Sequence, residues 1–460
     1  MDRWQAMKVT GWDSHRRPLL FSNLEVLDLD TGRRARHDLL VKDGLVRFTR
    51  GTDRPEGALV FDLGGRVAVP GLIDIHVHLR EPGNEDAETI ASGTAAAARG
   101  GFTAVASMAN THPPVDDPQS VRFVLERARS AGMSVVYPMA AVSRGLEGNE
   151  LTEMFDLAEA GAVAFSDDGK TIMNANLMRR ALEYAGMLDK VIVTHAEDKD
   201  LKGAGVAHEG YMATKLGLKP VPRASEEVIV ARDIRLVEHT GGRMHVAHVS
   251  CAATVEMIRE AQARGLRVTG EASPHHLCFT DRSLETYDPN FKMAPPLREE
   301  SDRQALIQGI KDGVIAAIAT DHAPHTEIDK DVEFDAAPNG VIGVETAFPA
   351  LHTALVRTGL LDLPTLVRAM SLGPASVLDL EHGPVRDGSP ADFTILDLDA
   401  SWEVKAGDFV SRSFNCPWIG QTLTGLPVLT VAGGRVLYHH ASVAPKGAAA
   451  FYVRQEVQDR

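Results

Sequence analysis

Short apolar, β-rich runs recur through the middle of the chain with helix-like segments between them. That alternation predicts a parallel sheet wrapped by helices. Eight runs can be placed: GLIDIHVH at 71–78, FTAVASM at 102–108, SVVYPMA at 134–140, AVAFSD at 162–167, KVIVTH at 190–195, RMHVAH at 243–248, LRVTGEA at 266–272 and VIAAIAT at 314–320. Connecting segments such as AETIASGTAAAARG, from Ala87 to Gly100, are alanine-rich and end in glycine, as surface helices do. Eight strands with crossover helices predict an α/β fold of the closed (βα)8 barrel type rather than an open doubly wound sheet. The flanks differ. Residues 8–69 and roughly 383–440 hold short alternating runs (LLVKDGLVRF, ADFTILDLD, PVLTVAGGRVLY) broken by Gly, Asp and Pro. Isolated hairpins are marginal, so both ends are expected to share one small β-sandwich. The expected division is 1–69 for its N-terminal part, 70–380 for the barrel, and 381–460 for its C-terminal part and a tail held loosely after Ala441.

Length agrees with this plan, because 460 residues exceed the ~250 of an ordinary barrel. With 44% hydrophobic and 24% charged residues the chain reads as globular, and no apolar run approaches the ~20 residues of a membrane helix. The N-terminal segment lacks the apolar stretch of a secretory signal, so a cytoplasmic location is expected. Cys251, Cys278 and Cys416 lie far apart with no CxxC pair, which fits a reducing compartment. A net charge of −15 argues against nucleic acid as partner, while a small anionic substrate would need local arginines.

The candidate chemistry lies at the C-terminal strand ends, where barrel enzymes build their sites. Strand side chains alternate, so His76 and His78 in PGLIDIHVHLREPG project from one face as a ready pair of metal ligands. FSDDGK adds Asp167 and Asp168, THAED adds His195, HVAHVS adds His248 and ATDHAPH adds Asp321. Any one of these could be structural; together, counting one of the two adjacent aspartates, they put four histidines and two carboxylates on one rim. Spacing alone favours Asp168 over Asp167 as ligand without deciding between them. Imidazole nitrogen and carboxylate oxygen suit Zn²⁺ or a similar borderline ion, and a bridging carboxylate lets two ions sit ~3.5–4 Å apart. Water between such ions has a pKa near ~7, which makes a hydrolase. Asp321 is best placed to accept the water's proton and return it to a departing amide nitrogen.

PGLIDIHVHLREPG, GGFTAVASMANTHPP, AFSDDG, HVAHVS, EASPHHL, FKMAPPLR and IATDHAPHT resemble the amidohydrolase superfamily, specifically the bacterial class I dihydroorotases, from about Leu39 to Leu437. The resemblance implies a distorted barrel with a terminal sandwich. It also implies reversible cyclisation of N-carbamoyl-L-aspartate to L-dihydroorotate in pyrimidine (UMP) biosynthesis. By the same resemblance His76, His78 and Asp321 hold one zinc ion, His195 and His248 hold the other, and Asp168 bridges the two with a hydroxide. Arg80 and Asn110 would grip the substrate α-carboxylate, a task suited to the planar guanidinium fork. His78 and His325 would add contacts, as would the backbone at Asn339 and Gly340. A homo-oligomer and a docked aspartate transcarbamoylase are partners the resemblance allows.

Two positions depart from the family pattern. Ala109 stands in the MPNT motif, and Ala294 replaces the substrate-contacting asparagine of KMNPPLR, which removes one hydrogen bond worth ~0.5–1.5 kcal/mol. His245 should face away from His248 as a packing residue. His322 has a supporting role in prospect, His275 and His276 are weak ligand candidates, and Lys170 should be an exposed loop residue. The alternatives are another cyclic-ureide amidohydrolase (dihydropyrimidinase, hydantoinase or allantoinase) and an inactive dihydroorotase-like subunit that scaffolds a transcarbamoylase. Arg80 argues against the first, and the complete ligand set argues against the second.

Overall fold

Parallel strands with helices between them account for the middle of the chain. The computed structural model describes residues 13–49 and 55–443, with Pro445. The expectations for the extreme N-terminus and for most of the tail after Ala441 fall outside these residues.

The first five strands are β1 (Leu19–Leu27), β2 (Arg34–Lys42), β3 (Leu45–Thr49), β4 (Leu59–Asp62) and β5 (Val67–Pro70). The barrel strands follow as β6 (Leu72–Val77), β7 (Phe102–Ser107), β8 (Val135–Ala140), β9 (Ala164–Ser166), β10 (Ile192–Thr194), β13 (Met244–Val246), β14 (Val268–Ala272) and β15 (Ala317–Ile318). A minor pair, β11 (Ala207–His208) and β12 (Pro220–Val221), decorates the β10–β13 connection. These eight barrel strands form one parallel sheet in chain order, and a bridge from Val77 to His322 brings its two edges together. Every residue of β6 and β7 is buried, as expected where helices cover one face and the barrel interior the other. Asp74 closes the seam from inside: its carboxylate accepts from the backbone N–H and hydroxyl of Thr320, at 3.0 and 2.5 Å.

The helix expected from Ala87 begins only at Ile90, because Thr89 and Ser92 form a reciprocal N-terminal cap there, and it ends at Arg99 with Gly100 as its C-cap. Gly100 is needed by close approach, since a Cβ there would fall 1.9 Å from the Val344 carbonyl oxygen.

β16 (Phe393–Glu403), β17 (Thr422–Ala432) and β18 (Arg435–His439) join β1–β5 in a second eight-stranded sheet. β5 pairs antiparallel with β16, Phe393 opposite Pro70, so the two terminal segments meet just before the first barrel strand. The expected sandwich takes the form of one continuous sheet around its own apolar core. Phe21 there stacks on Phe61 at 5.0 Å and meets Phe393 edge-on at 5.3 Å.

Candidate active site

The strand ends bring six candidate ligands into one buried cluster. Asp168 stands at its centre. Its Oδ1 lies 3.4 Å from His76 Nε2 and 3.5 Å from both His195 Nδ1 and His248 Nε2, and its Oδ2 lies 3.5 Å from His78 Nε2. Asp321 Oδ1 is 3.0 Å from His78 Nε2 and 3.5 Å from His76 Nε2. Asp167 turns the other way and accepts from the backbone N–H groups of Val142 and Ser143, capping that loop. Arg80, His248 and Asp321 hold left-handed backbone conformations, with φ of 60°, 32° and 49°. Such strain in non-glycine residues gathers at functional sites.

The electrostatics follow from crowding. Burial alone would lower the pKa of His76, but the Asp168, Glu271 and Asp321 carboxylates outweigh it and hold the imidazole well above its ordinary value. Despite burial, His76, His195 and His248 hold Asp168 well below the usual carboxylate range. Burial opposes charge on His195, yet Asp168 and Glu197 raise it to about 9. Burial and then Arg80 press His325 down to about 3.

These residues fit a divalent ion. His76 Nε2 and Asp168 Oδ1 are buried without a hydrogen-bond partner. Two ligands each ~2.1 Å from a tetrahedral ion are ~3.4 Å apart, which is the spacing found around Asp168. His76, Asp168 and His248 form one group able to hold a metal, and His76, His78 and Asp321 form another.

A cavity of about 240 Å³ opens beside the cluster, lined among others by Arg80, Asn110, Ala294, His325, Asn339 and Gly340. Arg80 donates from Nε to the Pro324 carbonyl at 3.0 Å, and no carboxylate lies in salt-bridge reach of it among the described residues. The neighbouring Glu81 pairs with Arg127 instead, at 2.6 Å. Asn110 accepts at Oδ1 from His78 Nδ1 at 2.8 Å, fixing which imidazole nitrogen faces the carboxylates. His325 Nε2 meets the Asn339 carbonyl at 2.8 Å, and the Gly340 N–H donates to the Lys292 carbonyl at 2.9 Å.

Several functional neighbours escaped the sequence. Glu271, on β14, holds His76 Nδ1 at 2.6 Å and His245 Nε2 at 3.1 Å. His245, expected to face away as a packing residue, instead shares this buried carboxylate with His76 and with the His248 N–H, because Glu271 reaches all three from the neighbouring strand. A charged residue at a buried position of a barrel strand was the available signal. Glu197 lies 3.6 Å from His195 Nε2 and is neutralised by Lys202 Nζ at 2.5 Å. His322 is buried between the Gly343 N–H, which it accepts at 3.2 Å, and Glu88, 3.4 Å away. His276 meets the Pro295 carbonyl at 3.0 Å, and Lys170 is exposed.

Known proteins share both sequence and fold with this chain. The dihydro-orotase-like family profile matches residues 65–254. A dihydroorotase from Pelotomaculum thermopropionicum is 51% identical over 419 residues, covering 91% of this chain and 98% of the relative. The chain belongs to the dihydroorotase family. A second dihydroorotase, from Syntrophus aciditrophicus, is 46% identical over 422 residues, covering 91% of this chain and 99% of that one. Among solved structures, L-hydantoinase (dihydropyrimidinase) from Arthrobacter aurescens superposes with a TM-score of 0.81 at 28% identity, covering 93% of this chain and 97% of its own. Dihydropyrimidinase from Brevibacillus agri shares the fold at TM-score 0.78, covering 93% and 96% of the two chains at 22% identity. Fold is therefore common to several cyclic-amide hydrolases, while sequence places this chain with the dihydroorotases, whose function it carries.

Proposed function

We propose that this dihydroorotase is of the bacterial class I type. It interconverts N-carbamoyl-L-aspartate and L-dihydroorotate in cytoplasmic pyrimidine biosynthesis, and its ligand cluster holds zinc. The observation that supports this reading is the convergence of six candidate ligands, five of them lining one small cavity, with an arginine that has no carboxylate in salt-bridge reach among the described residues. His76, His78 and Asp321 would hold one ion, His195 and His248 the other, with Asp168 shared between them. When bound, such ions polarise a ring carbonyl and lower the pKa of water to about 7.

The chain's own groups then divide the work. Arg80 binds the substrate carboxylate through its planar fork, helped by the Asn110 amide and by His325. Placing that carboxylate fixes the ring amide against the cluster, so that orientation is set before bond-making begins. Asp321, at the cavity wall, takes a proton from the attacking water as its oxygen joins the amide carbon. It returns that proton to the ring nitrogen as the C–N bond breaks. Ring closure runs the same steps backwards. Ala294 leaves one side of the ring without an amide contact, so affinity rests more heavily on the carboxylate end.

Turnover of L-dihydroorotate by chelator-stripped protein, before and after Zn²⁺ is restored, tests the proposal. Activity that disappears and returns supports it. Protein that binds Zn²⁺ yet opens no ring would favour a transcarbamoylase-scaffolding subunit.

A further inference from the structure

The segment 404–421 leaves β16 and runs beside the catalytic rim before β17 begins. Alternate residues of it are buried and polar: Ser411, Ser413 and Asn415 are 2%, 3% and 4% exposed. The Val410 and Ser411 N–H groups donate to Glu345, the Ser411 hydroxyl to Glu88 at 2.5 Å, and the Ser413 hydroxyl to the Ala87 carbonyl at 2.8 Å. These anchors set the register in which Asn415 reaches the loop after β15.

Both ends of the Asn415 amide are used there. Oδ1 accepts from the His325 N–H at 3.2 Å, while Nδ2 donates to the carbonyls of Ala323 at 3.0 Å and Gly340 at 3.2 Å. Its backbone carbonyl accepts from Ile342 N–H at 3.0 Å. The turn and Gly340 abut closely: with φ +110°, a Cβ at residue 340 would fall 2.6 Å from the Ala323 Cβ. Pro324 lies between the two clamped residues, and its carbonyl is the group that receives Arg80 Nε.

We propose that Asn415 is a positioning residue for substrate recognition. By bracing the turn 323–325 against Gly340, it fixes the Pro324 carbonyl that aims the Arg80 guanidinium into the cavity. The inference rests on the reading of Arg80 as the carboxylate clamp, and it gives the C-terminal segment a part in substrate selection. A plain structural brace would lower stability without a particular effect on KM. A positioning role instead raises KM for the carboxylate-bearing substrate and leaves the metal cluster intact.

The test compares zinc-loaded wild type, Asn415→Ala, Arg80→Ala and the double variant, reading kcat and KM for L-dihydroorotate alongside metal content. Losing three side-chain hydrogen bonds around the turn should raise KM about tenfold in Asn415→Ala, with kcat within about threefold of wild type and metal content unchanged. The double variant should be no more than about twofold worse than Arg80→Ala alone, because both changes act on one contact. An unchanged KM in Asn415→Ala, or multiplied effects in the double variant, would overturn the inference. An unchanged KM in Arg80→Ala would instead remove the carboxylate clamp itself, and the inference with it. If Asn415→Ala does not fold, Asn415→Ser carries the same comparison.

Discussion

Replacing Glu271 by glutamine removes a buried negative charge while keeping its shape. The wild-type carboxylate is 1% exposed and holds His76 Nδ1 at 2.6 Å, His245 Nε2 at 3.1 Å and the His248 N–H at 3.3 Å. Burial alone would raise its pKa, but His76 and His245 draw it down to about 2, so it stays ionised throughout the working range. Groups that orient a metal-binding imidazole typically contribute 10–100-fold to metal affinity, or about 1.4–2.8 kcal/mol. Hydrogen bonds to a charged group contribute roughly 1.5–3 kcal/mol each, and glutamine retains the geometry of one or two of them at reduced strength. Glu271→Gln should therefore bind Zn²⁺ about 10–100-fold more weakly, with a loss of about 1–3 kcal/mol in the metal-free fold. Chelator competition measures the first quantity and denaturant unfolding of stripped protein the second. Wild-type metal affinity in a folded variant would refute the claim that Glu271 sets His76 as a ligand.

Other expectations follow from the same geometry. Asp321→Asn should retain most of its metal, since the other five ligand groups remain, and lose nearly all turnover; near-normal kcat would remove Asp321 from proton transfer. Ala294→Asn should lower KM for dihydroorotate about two- to tenfold by restoring one hydrogen bond from the cavity wall, and an unchanged KM would show that residue 294 does not reach the ring. His208 lies outside the cluster, buried against Arg298 NH1 at 3.1 Å, and burial, Arg298 and Arg223 lower its pKa to about 4. The folded state thus binds its proton less readily than the unfolded chain, whose histidine titrates near 6.5. Its contribution to stability is complete above about pH 6.5 and is lost progressively as pH falls to about 4. His208→Asn should flatten that part of the stability profile; parallel wild-type and variant profiles would contradict the assignment.

Much of the barrel was legible because its strands are buried on both faces and so read as continuous apolar runs. The alternation that puts His76 and His78 on one face is local and needs no tertiary knowledge. Helix starts were less legible, since Thr89 and Ser92 cap each other two residues beyond the start of the alanine-rich segment. Adjacent aspartates could not be separated by spacing; the Val142 and Ser143 N–H groups, supplied by another loop, claim Asp167 and leave Asp168 to the histidines. His245 read as a plain packing residue, because its attachment to Glu271 depends on a neighbouring strand that alternation along its own strand cannot show. Asn415 was out of reach, because its partners Ala323, His325 and Gly340 lie far away in sequence and polar residues in a loop carry no periodic signal of their own.

The central claim is that a metal cluster and Arg80 together select a carboxylate-bearing cyclic amide. Ring opening by zinc-reconstituted protein, measured side by side on L-dihydroorotate, dihydrouracil, hydantoin and allantoin, tests it most directly. The account predicts kcat/KM for dihydroorotate at least about 100-fold above the uncharged rings, as loss of a charge-assisted pair would cost. Comparable turnover of dihydrouracil or hydantoin would contradict it, leaving the metal cluster in place and removing Arg80 from substrate selection.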